Sequence, residues 1–118
     1  MNIYLLRHGQ TEENRKGSYY GNLDISLNEI GVAQGNKAKN FFSDIKLDRV
    51  YVSDKKRTLE MAKLALGLKE MEIIQDNRIN ETNFGEFEGK TYEEIKKYYP
   101  KECLCWTSNW KEFVPQIG

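Results

Sequence analysis

The sequence predicts an α/β fold built on a parallel sheet in three layers, and three observations carry that expectation. Short apolar or β-branched runs at Ile3-Tyr4-Leu5-Leu6, Asp48-Arg49-Val50-Tyr51-Val52 and Met71 to Ile74 have the composition of strands. Each is followed by a stretch whose apolar residues recur at helical spacing. Two of those stretches open with S/T-x-x-E, at Ser26 to Glu29 and Thr91 to Glu94, the pattern of a helix capping box. Strands alternating with helices argue a parallel sheet with helices on its faces. A chain of 118 residues points to one domain.

In order, Asn2 to Leu6 lacks polar alternation, as expected of a strand covered on both faces. Residues 9–25 are rich in Gly, Asn and Asp and predict a loop. The helix capped at Ser26 carries Ile30, Ala33, Ala38, Phe41 and Phe42 on its apolar face. Its Gly35 weakens it by about 1 kcal/mol relative to alanine. After the second strand, Ser53 can cap a helix bearing Leu59, Met61, Ala62, Leu64, Ala65 and Leu66. Gly67 stands where a left-handed terminating residue is expected. Residues 75–90 form a long polar loop, a feature that in a compact domain usually has a function. The helix capped at Thr91 is followed by Pro100. Trp106, Trp110 and Phe113 have the character of packing residues on a further short helix or loop.

Composition excludes several partners. Lys plus Arg and Asp plus Glu both number 18, so no net charge favours nucleic acid or an anionic membrane. No apolar run approaches the roughly 20 residues that span a bilayer. The start has no basic region followed by a long apolar stretch, so no secretory signal is expected. Cys103 and Cys105 form a lone C-x-C pair with too few further ligands for a metal site, and a reduced, cytoplasmic protein is expected.

The chemistry-bearing residues gather in three places. His8, the chain's one histidine, follows the first strand, at the sheet edge where α/β proteins build sites. Arg7 beside it can grip a phosphate through two hydrogen bonds, and Gly9 allows close approach of a ligand. Arg57 lies about a turn into the helix after the second strand, whose N-terminus faces the same edge and offers N–H groups to an anion. The third place is Asn80 to Gly89, with Glu81, Glu86 and Glu88. A general acid there needs a raised pKa, which partial burial by Phe84 and Phe87 could provide. Spacing alone does not choose among the three glutamates.

Leu6-Arg7-His8-Gly9-x-Thr11-x-x-Asn14 resembles the signature of the histidine phosphatase superfamily, the group that includes cofactor-dependent phosphoglycerate mutase. Three further segments resemble its motifs in order. Gly21 to Gly31 is similar to G-x-x-D-x-x-L-x-x-x-G, Ser53 with Arg57 to S-x-x-x-R, and Glu81 to Gly89 to E-x-x-F-G-x-x-E-G. The resemblance implies that His8 is the nucleophile, that Arg7 and Arg57 hold the phosphoryl group, and that Asn14 and the loop at Tyr20 and Gly21 complete the cradle. It implies that Glu81 is the proton donor and that no metal or other cofactor is required. The implied partner is a small phosphorylated metabolite.

The resemblance also carries departures. Family members have a second histidine in a later H-G motif, and this chain has one histidine only. Residues 1–118 are therefore expected to be the amino-terminal portion of a single phosphoglycerate mutase-like domain. Its sheet would be incomplete, its catalysis impaired, and its exposed apolar surface covered by self-association. In mutases the proton donor is followed by R-H-Y, whose cations face the substrate carboxylate. Here Thr82-Asn83-Phe84 follows Glu81, which favours a phosphatase. Trp106, Asn109-Trp110 and Pro115 to Gly118 resemble the tail of the α-ribazole-5′-phosphate phosphatases of cobalamin nucleotide-loop assembly. A broad-specificity sugar phosphatase, a mutase and a non-catalytic phosphate-binding module remain open readings.

Overall fold

The computed structural model describes residues 1–108, so Asn109, Trp110, Phe113 and the 115–118 tail lie outside the described residues. The chain divides into two compact units: Met1–Glu12 with Asp24–Asn80, and Glu13–Leu23 with the chain from Glu81 onward. The elements are α1 (Glu12–Lys16), β1 (Ser18–Tyr19), α2 (Glu29–Phe42), β2 (Val50–Val52), α3 (Lys56–Leu66), β3 (Ile73–Gln75), β4 (Lys90–Thr91), α4 (Tyr92–Tyr98) and α5 (Pro100–Ser108). Short 3-10 turns at Asn77–Ile79 and Gly85–Phe87 interrupt the expected 75–90 loop. Among the described residues no helix is long and apolar enough to cross a membrane.

The first unit carries the α/β character. Strands β2 and β3 pair in parallel, with Val50 opposite Ile73 and Val52 opposite Gln75, and α3 forms the crossover between them. Helix α3 buries Arg57, Met61, Ala62, Ala65 and Leu66, one stripe at helical spacing. It ends at Gly67, whose φ of 59° is positive as expected of a terminating glycine, while its ψ of −119° lies outside the left-handed helical region.

Helix α2 departs from expectation. It begins at Glu29, and its cap is Asn28, whose side chain accepts the Gly31 N–H at 2.9 Å. Ser26 is exposed and outside the helix. Asparagine caps as well as serine, and its carbonyl oxygen here lies within reach of the third N–H. The buried face is Gly31, Gly35 and Phe42, while Ile30 and Phe41 are largely exposed. A Cβ on Gly35 would sit 2.6 Å from Leu64 Cδ1, so the residue expected to weaken α2 is the one that lets α2 and α3 approach closely. Ser53 is also not a cap, since α3 starts after Lys55. The Ser53 hydroxyl lies 2.9 Å from that of Thr58.

The expected strand at residues 2–6 is not formed among the described residues. Ile3 and Leu5 are 74% and 95% exposed. An apolar run signals a need for cover, whereas a strand also needs a neighbour with which to exchange N–H and C=O bonds. What anchors this segment is Tyr4, whose ring meets Phe42 edge-on at 5.7 Å.

The second unit is built on the pairing of β1 with β4, antiparallel, Ser18 opposite Thr91. Both α1 and β1 fall in the stretch expected to be loop, because two-residue strands and one-turn helices are too short to show periodicity. The core is Phe87, Ile95 and Cys103, with Tyr19, Phe84, Tyr99 and Trp106 packed against it. The Thr91–Glu94 capping box forms in full at the start of α4, and Pro100 occupies the first position of α5.

Candidate functional site

The His8 loop rests on the start of α2 through two glycines. A Cβ on Gly9 would meet Gly31 O at 2.6 Å, and one on Gly31 would meet Gln10 O at 2.2 Å. Only hydrogen side chains permit this backbone-to-backbone contact. The loop is then pinned by hydrogen bonds: Gln10 N–H donates to Gln34 Oε1, Asn28 N–H donates to Gln10 O, and Asn28 Nδ2 donates to Gln10 Oε1.

The His8 ring makes a local contact in this loop. Its Nδ1 lies 2.7 Å from Gly9 O. A carbonyl oxygen only accepts, so Nδ1 carries the proton of the neutral ring. The other nitrogen, Nε2, keeps its lone pair, which is the form a nucleophile needs.

Arg57 lies in the first turn of α3 and is only 2% exposed. Its Nε is buried with no hydrogen-bond acceptor among the described residues, although the residue makes other interactions. The α3 N-terminus is held from outside the helix by Asp24, whose carboxylate accepts the Lys56 N–H at 2.7 Å. Nearby, the Asp54 carboxyl sits below its usual pKa because Asn80 hydrogen-bonds to it. Arg7 is exposed.

The second unit gathers the other expected residues. Tyr20 OH donates to Asn14 Oδ1 at 3.0 Å. A Cβ on Gly21 would lie 1.9 Å from Thr82 O and 2.9 Å from Glu81 Cγ, so the Gly21 and Glu81 segments touch backbone to backbone. Glu81 is exposed, and its Oε1 accepts the Thr82 N–H at 2.9 Å. The expected apolar cover for this carboxyl is absent, because Phe84 and Phe87 turn into the core with Trp106.

The three glutamates are now distinguishable. Glu88 Oε1 accepts N–H bonds from Gly21, Asn22 and Leu23 at 3.1, 2.9 and 2.9 Å. Its Oε2 accepts from Gly21 and Phe84 at 3.0 and 2.8 Å. Glu86 offers its main-chain oxygen to Lys90 Nζ. Sequence reasoning missed the roles of Glu88 and Asp24. Their only signal was their place in the motifs, because each acts on a distant segment. Among the described residues, no group of three or more His, Cys, Asp or Glu side chains could hold a metal ion.

The model of the histidine phosphatase superfamily, branch 1, matches residues 3–118. The chain belongs to the histidine phosphatase superfamily. A phosphoserine phosphatase 1 from Hydrogenobacter thermophilus is 35% identical over 88% of this chain and 49% of its own length. The adenosylcobalamin/alpha-ribazole phosphatase of Salmonella typhimurium is 28% identical over the whole of this chain and 58% of its own. Among solved structures, Bacillus stearothermophilus YhfR superposes with a TM-score of 0.84 at 30% identity, over 93% of this chain and 55% of that one. The alpha-ribazole phosphatase from Shigella flexneri shares the fold with a TM-score of 0.89 at 24% identity, over 93% and 55%. The chain thus spans about half the length of the curated relatives it matches. The expected α/β, phosphoglycerate mutase-like architecture, incomplete in this chain, agrees with these histidine phosphatase neighbours.

Proposed function

We propose that the protein is a phosphomonoester hydrolase that works through a phosphohistidine and needs no metal ion, and that residues 1–118 form the amino-terminal portion of one histidine phosphatase domain. The observation that supports this reading is the His8 Nδ1–H bond to Gly9 O, since a neutral ring held in that tautomer has its lone pair on Nε2. The lone pair of Nε2 attacks phosphorus, the ester P–O bond breaks, and the leaving alkoxide takes a proton from the Glu81 carboxyl. Water then attacks phosphorus, giving its proton to the Glu81 carboxylate. The P–N bond breaks and inorganic phosphate leaves. Arg7 and Arg57 bind the phosphoryl oxygens and offset the charge that develops on them. The paired Asn14 and Tyr20 complete the cradle. Gly21 contributes by allowing close approach, since its N–H is already given to Glu88.

For the substrate class we favour a small phosphorylated metabolite, with α-ribazole 5′-phosphate, in cobalamin biosynthesis, as the first choice. Support comes from an alpha-ribazole phosphatase relative that aligns over the whole of this chain. The lack of a cation at Thr82, Asn83 or Phe84 leaves nothing after Glu81 to face a phosphoglycerate carboxylate, which weakens the mutase alternative.

The test is turnover of p-nitrophenyl phosphate by the 118-residue protein in EDTA, with intact mass recorded before and after mixing. Mass gain by one phosphoryl group, absent in His8→Ala, is the expected result. Equal phosphorylation of the variant would overturn the reading.

A further inference from the structure

Within the second unit, one side chain joins the two segments on which the proposed proton donor depends. The successive N–H groups of Gly21, Asn22 and Leu23 converge as a concave donor cluster, a shape that collects anions. Here the anion is the chain's own Glu88 carboxylate. The same carboxylate takes the Phe84 N–H, three residues after Glu81. The next residue repeats the link through the main chain. Gly89 N–H donates to Tyr19 O at 2.8 Å, and Lys16 Nζ donates to Gly89 O at 2.8 Å. Between these ties, Gly21 rests directly against Thr82 O and Glu81 Cγ with no side chain to cushion it. A movement of the Gly21 loop is therefore passed to the Glu81 backbone.

We propose that Glu88 is a positioning residue, which locks the Gly21–Leu23 loop to the Glu81–Phe84 turn and so sets where the Glu81 carboxyl stands relative to the substrate's leaving oxygen. This rests on the proton-donor reading of Glu81 given above. The lock requires a carboxylate. Four N–H donors surround two oxygens, and hydrogen bonds to an ionised acceptor are the stronger kind. A glutamine has one acceptor oxygen and an NH₂ group that would face an N–H, so it satisfies one segment and repels the other. An aspartate keeps the charge but lacks the reach to hold both.

The test compares wild type, Glu88→Gln and Glu88→Asp in two measurements. The first is amide hydrogen exchange at Gly21, Asn22, Leu23 and Phe84. Faster exchange in Glu88→Gln on at least one segment, with α4 and α5 amides unchanged, is expected; unchanged exchange at all four would overturn the lock. The second is the single-turnover rate of His8 phosphorylation by p-nitrophenyl phosphate and by a simple alkyl phosphate. A nitrophenolate leaves without help, whereas an alkoxide needs the Glu81 proton. Glu88→Gln is expected to lose about 10²-fold with the alkyl ester, under 10-fold with the aryl ester, and Glu88→Asp to fall between wild type and Glu88→Gln. Equal losses on both esters, or no loss on either, would overturn the positioning role. If wild type forms no phosphohistidine while exchange still quickens in Glu88→Gln, the proposed function falls and the lock stands.

Discussion

The His8 loop and the Glu81 turn are held by opposite physical means. The first is seated by absence: Gly9 and Gly31 have no side chains, so backbone meets backbone, and amide hydrogen bonds from Gln10, Asn28 and Gln34 finish the job. The second is held by charge, with one carboxylate collecting four main-chain N–H groups. Steric seating fixes the backbone of the His8 loop without any charged group.

Breaking each seat separately sharpens the contrast. Gly31→Ala and Gly21→Ala are the largest expected disruptions of stability. Each new Cβ would meet a backbone oxygen, at 2.2 Å from Gln10 O and 1.9 Å from Thr82 O. For Gly31, alanine's helix propensity favours the variant by about 1 kcal/mol. Overpacking against an unyielding backbone costs about 1–3 kcal/mol, so the clash wins. Thermal melts are expected to fall for both variants. Phosphohistidine formation with an aryl ester is expected to suffer in Gly31→Ala and to survive better in Gly21→Ala. A higher melting temperature for Gly31→Ala would sink the steric account.

A smaller effect is expected from Thr91→Ala, which removes half of the α4 capping box and costs about 1 kcal/mol. The Glu94 carboxyl sits below its usual pKa, first because the Thr91 N–H bonds to it. A depressed folded-state pKa means stabilisation present above the ordinary glutamate range and lost as pH falls through the folded value. Thr91→Ala keeps the N–H bond to Glu94 and removes the hydroxyl bond, so the acid side of the stability curve should flatten only in part; an unchanged acid limb by denaturant titration would refute this.

The smallest effect belongs to Asp76 on the first unit. Its carboxylate accepts three side-chain bonds from Arg78 and is lowered from 3.8 to about 2. By the same sign argument, its contribution is present above about pH 4 and lost as pH falls toward 2. Arg78→Ala removes the side-chain bonds but keeps the Arg78 N–H bond, so the Asp76 carboxyl should move part of the way back toward the ordinary range, read by NMR titration, with little change in melting temperature because Arg78 is exposed. A titration that stays near 2 would show that the Arg78 side chain is not the cause.

Much of the local structure was legible because its causes lie within a few residues. The Thr91–Glu94 box, the buried stripe of α3 and the positive φ of Gly67 all act across a turn or less, whereas Pro100, read as following a helix, opens a new one. Misreadings came where the partner was remote. Gly35 looked like a weak point in α2, and its reason for being there is Leu64 on another helix. Ser26 looked like a cap, yet Asn28 holds that place and also reaches Gln10. Glu81 was expected under the cover of Phe84 and Phe87, but those rings serve the second unit's core.

By itself, the sequence determined which groups stand in the family's ordered motifs, because a histidine, two arginines and a glutamate at those positions are facts of the sequence. It also determined the helices with local caps and periodicity. The tertiary structure alone decided which nitrogen of His8 holds the proton, which glycines bear contact, and which of three loop glutamates is the clamp. Those outcomes depend on groups far apart in the chain, 67 residues for the Gly21–Glu88 bonds. A sequence pattern reports short-range preference, whereas hydrogen-bond direction and close backbone approach exist only once distant segments meet.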